Sequence, residues 1–162
     1  MTHVITLDDT AYAYAKDIAR RRLERVKKDS LPVIVGWDKA PEYGLCGVMG
    51  EVAACVAYGV SYEEHVRADG LDGGTDIVVN NETYSVKTTT ERSYNLLVPY
   101  TQEVKTDRIV LVWPTSDPRS WELVATCTRA WWEKHRSPHG GVERPAQVAY
   151  WRQMEPVVLE GS

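Results

Sequence analysis

Three short segments hold the side chains of this chain best suited to chemistry: Gly47-Val48-Met49-Gly50-Glu51, Gly73-Gly74-Thr75-Asp76-Ile77 and Ser85-Val86-Lys87. The first reads as a helix carrying a carboxylate, the second as a strand carrying another, and the third as a strand carrying a lysine. Two carboxylates on one patch can hold a hard divalent cation, and a lysine beside them can orient a water. That is the equipment for hydrolysing a phosphodiester. Taken singly, each residue also has an ordinary explanation. Asp76 after a glycine pair can cap a loop, Lys87 can sit exposed on a strand, and Glu51 can be a solvated helix residue. Their converging faces favour the site.

The elements that must position them follow from periodicity and punctuation. Asp8 and Asp9 precede a helical pattern in which Ala11, Ala15, Ile18, Ala19, Leu23 and Val26 form a stripe, with the basic residues displaced from it. Pro32 ends that helix at or before Leu31. Val33-Ile34-Val35 is a short apolar run, followed by a loop around Trp37 and Pro41. A second helix runs from near Pro41 to Tyr58, with Leu45, Val48, Val52, Cys55 and Val56 as its stripe. Gly44, Gly47 and Gly50 cost it propensity, which points to a packing reason such as close approach to a sheet or ligand. Glu51 falls about 60° round the axis from Val48, at the edge of the stripe.

Thr75–Val79 and Thr83–Thr90 read as strands around an Asn80-Asn81 turn. A two-residue turn sets Val79 opposite Glu82 and Asp76 opposite Ser85. Asp76, Ser85 and Lys87 then share one face, with Tyr84 and Val86 on the other and Glu82 on the wrong face to serve as an acid. Asp107–Trp113 is a buried strand closed by Pro114, and Trp121–Cys127 is another. Thr128 caps a short helix through Lys134, and Gln147–Trp151 is a candidate strand. No repeat or linker divides the chain.

A length of 162 residues fits a single domain, 1–162. Within it, 1–40 is an N-terminal basic helix and loop, 41–135 a core, and 136–162 a C-terminal extension. No apolar run is long enough to span a bilayer and the N-terminus lacks a signal-peptide pattern, so a cytoplasmic protein without a membrane partner is expected. Cys46, Cys55 and Cys127 are odd in number and contain no C-x-x-C, which fits reduced, buried thiols. The net charge of -4 does not announce a nucleic-acid binder. The charge is unevenly spread, however. Arg20, Arg21, Arg22, Arg25, Lys27 and Lys28 crowd one stretch, either as a solvated helix face or as a helix contacting phosphates.

Other constellations are weaker. His135 and His139, with Cys127 upstream, have zinc-like spacing but lack a paired Cys-x-x-Cys. No P-loop, G-x-G-x-x-G or G-x-S-x-G is present. Trp131 and Trp132, near Arg129, Lys134 and Arg136, could stack on bases. Packing is the commoner role for them, as for Trp37, Trp113, Trp121 and Trp151.

The order Glu51, Asp76, Ser85-Val86-Lys87 resembles the PD-(D/E)XK nuclease superfamily, which places a glutamate on a helix, an aspartate on the next strand and an acid-x-lysine on the strand after. With the strands around Ile109-Val110-Leu111-Val112 and Glu122-Leu123-Val124, it looks like a small phage-type member over residues 43–135. Two departures stand out. Position 85 is serine where the family has an acid, and the family's helix between its third and fourth strands has no room between Pro114 and Ser120.

The resemblance implies an α/β fold with a mixed central sheet of about four strands flanked by helices, a restriction-endonuclease-like core. It implies Glu51, Asp76 and the Val86 carbonyl as ligands of Mg²⁺ or Mn²⁺, with Lys87 activating water and Ser85 and Gln102 in support. It implies a metal-dependent endo- or exodeoxyribonuclease, leaving 5′-phosphate and 3′-hydroxyl ends, in the bacterial host cytoplasm if phage-encoded. DNA is the expected partner, and a homodimer is compatible. The alternatives are a catalytically inactive DNA-binding module of the same fold and a phage structural or interaction protein.

Overall fold

The computed structural model describes residues 2–29, 40–69, 75–92, 95–99, 103–139 and 146–160. Strand β1 (His3–Thr6) leads to helix α1 (Asp9–Lys28) and helix α2 (Ala40–Tyr58), followed by the single turn α3 (Tyr62–His65). The hairpin β2 (Ile77–Val79) and β3 (Glu82–Thr88) comes next, then β4 (Leu96–Pro99), β5 (Arg108–Pro114) and β6 (Ser120–Thr128). Helix α4 (Arg129–His135), β7 (Ser137–His139), β8 (Ala146–Ala149) and a 3-10 turn (Trp151–Gln153) complete the chain order.

Local chemistry explains the main boundaries. Asp8 caps α1 by accepting the Ala11 N–H at 2.8 Å, and Thr128 caps α4 by accepting the Trp131 N–H at 3.1 Å. Asn80 and Asn81 both adopt positive φ (49° and 66°), as a primed two-residue hairpin turn requires. The register is Val79 to Glu82, Val78 to Thr83 and Ile77 to Tyr84.

The protein is α/β, with a mixed five-stranded sheet in the order β1-β6-β5-β3-β2 and a second, three-stranded sheet in the order β4-β8-β7. Only β3 and β5 run parallel in the large sheet. The expectation of about four strands is therefore too small: β1 extends the large sheet, and β4, β7 and β8 make a second one. The chain passes from β5 to β6 without a helix, as Pro114 and Ser120 bound too short a connection.

Each face of the large sheet has its own core. On one face Val86, Val110, Val112, Trp121 and Leu123 pack with Ala11, Ala15 and Ile18 of α1 and Val48, Met49, Val52 and Ala53 of α2. On the other, Ile109, Leu111, Trp113, Ala125 and Cys127 pack with Leu96, Val98, Trp132, Ala149 and Met154. Trp113, Trp121 and Trp132 are buried, which gives them the packing role. Trp131 is half-buried and stacks on His135 at 4.2 Å between centroids.

Two sequence expectations about the helices are corrected. Arg22 and Arg25 are not displaced from the stripe of α1: they continue the Ala11, Ala15, Ile18 series at helical spacing, and both are partly buried. Of the glycines in α2, only Gly50 has a packing reason among its described neighbours. A Cβ there would meet Thr88 Oγ1 at 1.9 Å, whereas at Gly44 and Gly47 it would meet nothing within 4 Å. Val33-Ile34-Val35, Trp37 and Gln102 lie outside the described residues.

Candidate metal and catalytic site

The site is built where α2 touches β3. Because Gly50 has no side chain, the helix axis approaches Thr88 more closely than any other residue would permit. Glu51 follows Gly50 and Lys87 precedes Thr88, so one close contact sets the level of both candidate residues. Cys46 Sγ donates to the Thr89 carbonyl at 3.3 Å, and Tyr58 packs on Tyr84 at 5.2 Å between centroids. These contacts run α2 antiparallel to β3.

Backbone alternation decides what each residue of β3 faces. Thr89 N–H donates to the Val112 carbonyl at 3.2 Å, and Asp76 N–H donates to the Tyr84 carbonyl at 2.9 Å. Odd positions of β3 thus bond towards β5 and even positions towards β2. The ladder with β2 stops at Ile77, so the polar backbone of Val86 projects at an edge no longer paired with β2. Asp76 takes that place. Its Oδ2 accepts the Val86 N–H at 2.6 Å, and the Val86 carbonyl, which points the same way as its N–H, opens beside it.

The predicted side-chain faces hold for β3 and are refined for Asp76. Ser85 pairs with Ile109 and Lys87 with Leu111, which places both on the face turned away from α1 and α2. Tyr84 and Val86 face the helices. Asp76 itself lies just before the first paired residue of β2, and its carboxylate sits at the sheet edge. Glu51 belongs to α2 on the helical side of the sheet, whereas Lys87 lies on the opposite face.

Asp76 feels the charges of groups on both sides of this edge. Asp76 is raised to about 7, first by burial and then by the charge of Glu51. The Val86 N–H, the Lys87 ammonium and the Arg22 guanidinium oppose the rise. The Cys55 thiol, one turn along α2, is pushed up to about 12, mainly by burial and secondarily by Glu51 and Asp76.

Glu51 has a partner that the sequence reading assigned elsewhere. Arg22 Nη1 donates to Glu51 Oε1 at 3.1 Å and Nη2 lies 3.1 Å from Oε2, a two-point fork. Arg22 Nε donates to the Arg67 carbonyl at 3.0 Å. A partial signal was present in the sequence: Arg22 falls four residues beyond Ile18 and so continues the buried stripe, though its partner could not be read from spacing. Of the other basic residues of α1, Arg25 is partly buried and the rest stay at the surface. Arg20 pairs with Asp17 and Glu24, Arg21 with Asp17 and Arg25 with Asp29, while Lys27 and Lys28 are exposed in the last turn.

The donor set at the edge comprises two carboxylates, Glu51 and Asp76, and the Val86 carbonyl. Among the described residues no group of three or more His, Cys, Asp or Glu side chains is placed to hold a metal. Ser85, where the resemblance leads one to expect an acid, is 5% exposed. Mg²⁺ commonly takes only one or two protein carboxylates and completes its shell with water and substrate oxygens, so this set fits that ion. It does not fit zinc, which prefers nitrogen and sulfur ligands. In the zinc-like constellation, His135 Nδ1 lies 2.9 Å from the Trp131 carbonyl and Cys127 is buried in the core.

No protein-family model, curated protein or solved structure matches this chain. Among the described residues no helix is long and apolar enough to cross a membrane.

Proposed function

We propose that the protein is a divalent-metal-dependent nuclease that hydrolyses DNA phosphodiester bonds. The observation that supports this reading is a buried Asp76, held by the Val86 N–H at the unpaired edge of β3 and under the charges of Glu51, Lys87 and Arg22. Glu51, Asp76 and the Val86 carbonyl would hold Mg²⁺ or Mn²⁺. The bound ion would offset charge on the scissile phosphate and lower the pKa of a water. Lys87, approaching from the opposite face, would orient that water and stabilise the charge of the attacked phosphate. The basic residues of α1 lie on the same helix as Arg22, which supports contact between Arg20, Arg21, Arg25, Lys27 and Lys28 and the DNA backbone beside the site. Their surface ion pairs are weak enough to exchange for phosphates.

A second reading has an observation in its favour. Ser85 stands where a third acid would complete the donor set, and Arg22 already satisfies Glu51. A protein with this arrangement could keep the nuclease fold as a DNA-binding or interaction module without chemistry.

The test is incubation with supercoiled, linear, branched and single-stranded DNA in Mg²⁺, Mn²⁺ or EDTA, beside Asp76→Ala. Metal-dependent cutting lost in Asp76→Ala is expected. Salt-sensitive DNA binding without cutting under any condition supports the module instead.

A further inference from the structure

Arg22 answers Glu51 too fully to be counted with the surface cations of α1. Its side chain is 27% exposed and that of Glu51 13%, and the guanidinium fork engages both carboxylate oxygens. The Arg67 carbonyl fixes the remaining Nε, so the guanidinium is held from two sides. A planar fork takes one lone pair of each carboxylate oxygen and sets a full positive charge against the group. A cation chelated by both Glu51 oxygens needs those same two lone pairs and is repelled by that charge.

We infer that Arg22 is the counter-ion of Glu51 in the metal-free protein and that a divalent cation must displace it to occupy the site. This deepens the metal-site reading above and rests on it. Displacement has a second consequence. An arginine released from Glu51 keeps its fork, its charge and its place beside the site, and the matching ligand for such a fork is a phosphate. Arg22 is accordingly a positioning residue when it holds Glu51, and it becomes available to DNA only after metal has entered.

The geometry makes the sign of the effect testable without cleavage. Mn²⁺ binding would be measured by calorimetry on the wild type, Arg22→Gln, Arg22→Lys and Asp76→Asn, with circular dichroism checking the fold of each. Removing the competing guanidinium should tighten Mn²⁺ binding by about tenfold, as loss of a single nearby charge predicts. Arg22→Lys, which keeps the charge without the fork, should fall between wild type and Arg22→Gln. Asp76→Asn should bind least.

Binding seen in Arg22→Gln but too weak to detect in the wild type would support the inference in its strongest form. Mn²⁺ binding that depends on Asp76 but is unchanged or weaker in Arg22→Gln would overturn the inference and leave the metal site standing. Absence of Asp76-dependent binding in every variant would overturn the site itself. Should Arg22→Gln fail to fold, Arg22→Lys carries the test: binding no tighter than wild type would contradict competition.

Discussion

Asp76 is the residue on which the account turns, because its ionisation is the least comfortable in the site. Burial and Glu51 raise it to about 7 from an ordinary value near 3.8. A group raised in the folded state contributes stability that is complete below its unfolded value and is lost as pH rises through the folded one. Between pH 5 and 8 in EDTA, unfolding free energy should therefore fall by on the order of 2 kcal/mol on account of Asp76. Asp76→Asn should remove that slope, and denaturant melts of both proteins at the two pH values would measure it. Equal slopes would mean that Asp76 is ionised in the metal-free fold without strain. At this scale the sequence was informative about side-chain faces: Ser85 and Lys87 lie on one face of β3 and Tyr84 and Val86 on the other. It was less informative about Arg22, because a charged residue on a helical stripe reads as solvated unless its buried partner is known.

Between elements, the decisive contact is Gly50 on Thr88. Gly50→Ala would place a methyl 1.9 Å from Thr88 Oγ1 and 3.0 Å from Thr88 Cβ and Cγ2, and the helix must shift to admit it. Overpacking of this kind costs about 1–3 kcal/mol. Thr88→Ala should restore part of the loss in the double variant, since its hydroxyl is buried without a hydrogen-bond partner. A double-mutant cycle by chemical denaturation reads this coupling; strictly additive losses would mean that the two residues do not share the contact. The hairpin and both long helices could be read locally, since Asn80-Asn81, Asp8 and the apolar stripes are short-range signals. The strands β1, β4 and β7 could not. They have three or four residues each, and Val4 in β1 is exposed while its neighbours gain order only by pairing with β6, far away in sequence.

For the molecule as a whole, the C-terminal segment belongs to the structure more than a peripheral extension would. Strand β8 pairs with both β4 and β7, Met154 and Ala149 enter the core on the Ile109 face, and Val157 enters the helical one. Glu155 also exchanges backbone hydrogen bonds with Thr126 at 2.8 and 2.9 Å. Ending the chain after residue 145 should cost about 5 kcal/mol or more, enough to unfold a domain of ordinary stability. Near-ultraviolet circular dichroism of the truncated protein would show it, and a cooperative native melt would contradict it. Such long-range closure has no local sequence signal, so the second sheet was the part of the fold least open to reading. The same scale sets the central claim, that two faces of one sheet deliver Glu51 and Lys87 to a single edge for metal-dependent hydrolysis. Its most direct measurement is DNA cleavage and Mn²⁺ affinity on the same preparations of wild type and Lys87→Ala. The account predicts cleavage by the wild type, at least about 100-fold slower cleavage by the variant, and Mn²⁺ affinity at least as high in the variant. Cleavage at wild-type rate in Lys87→Ala, or none by a metal-loaded wild type, would contradict it.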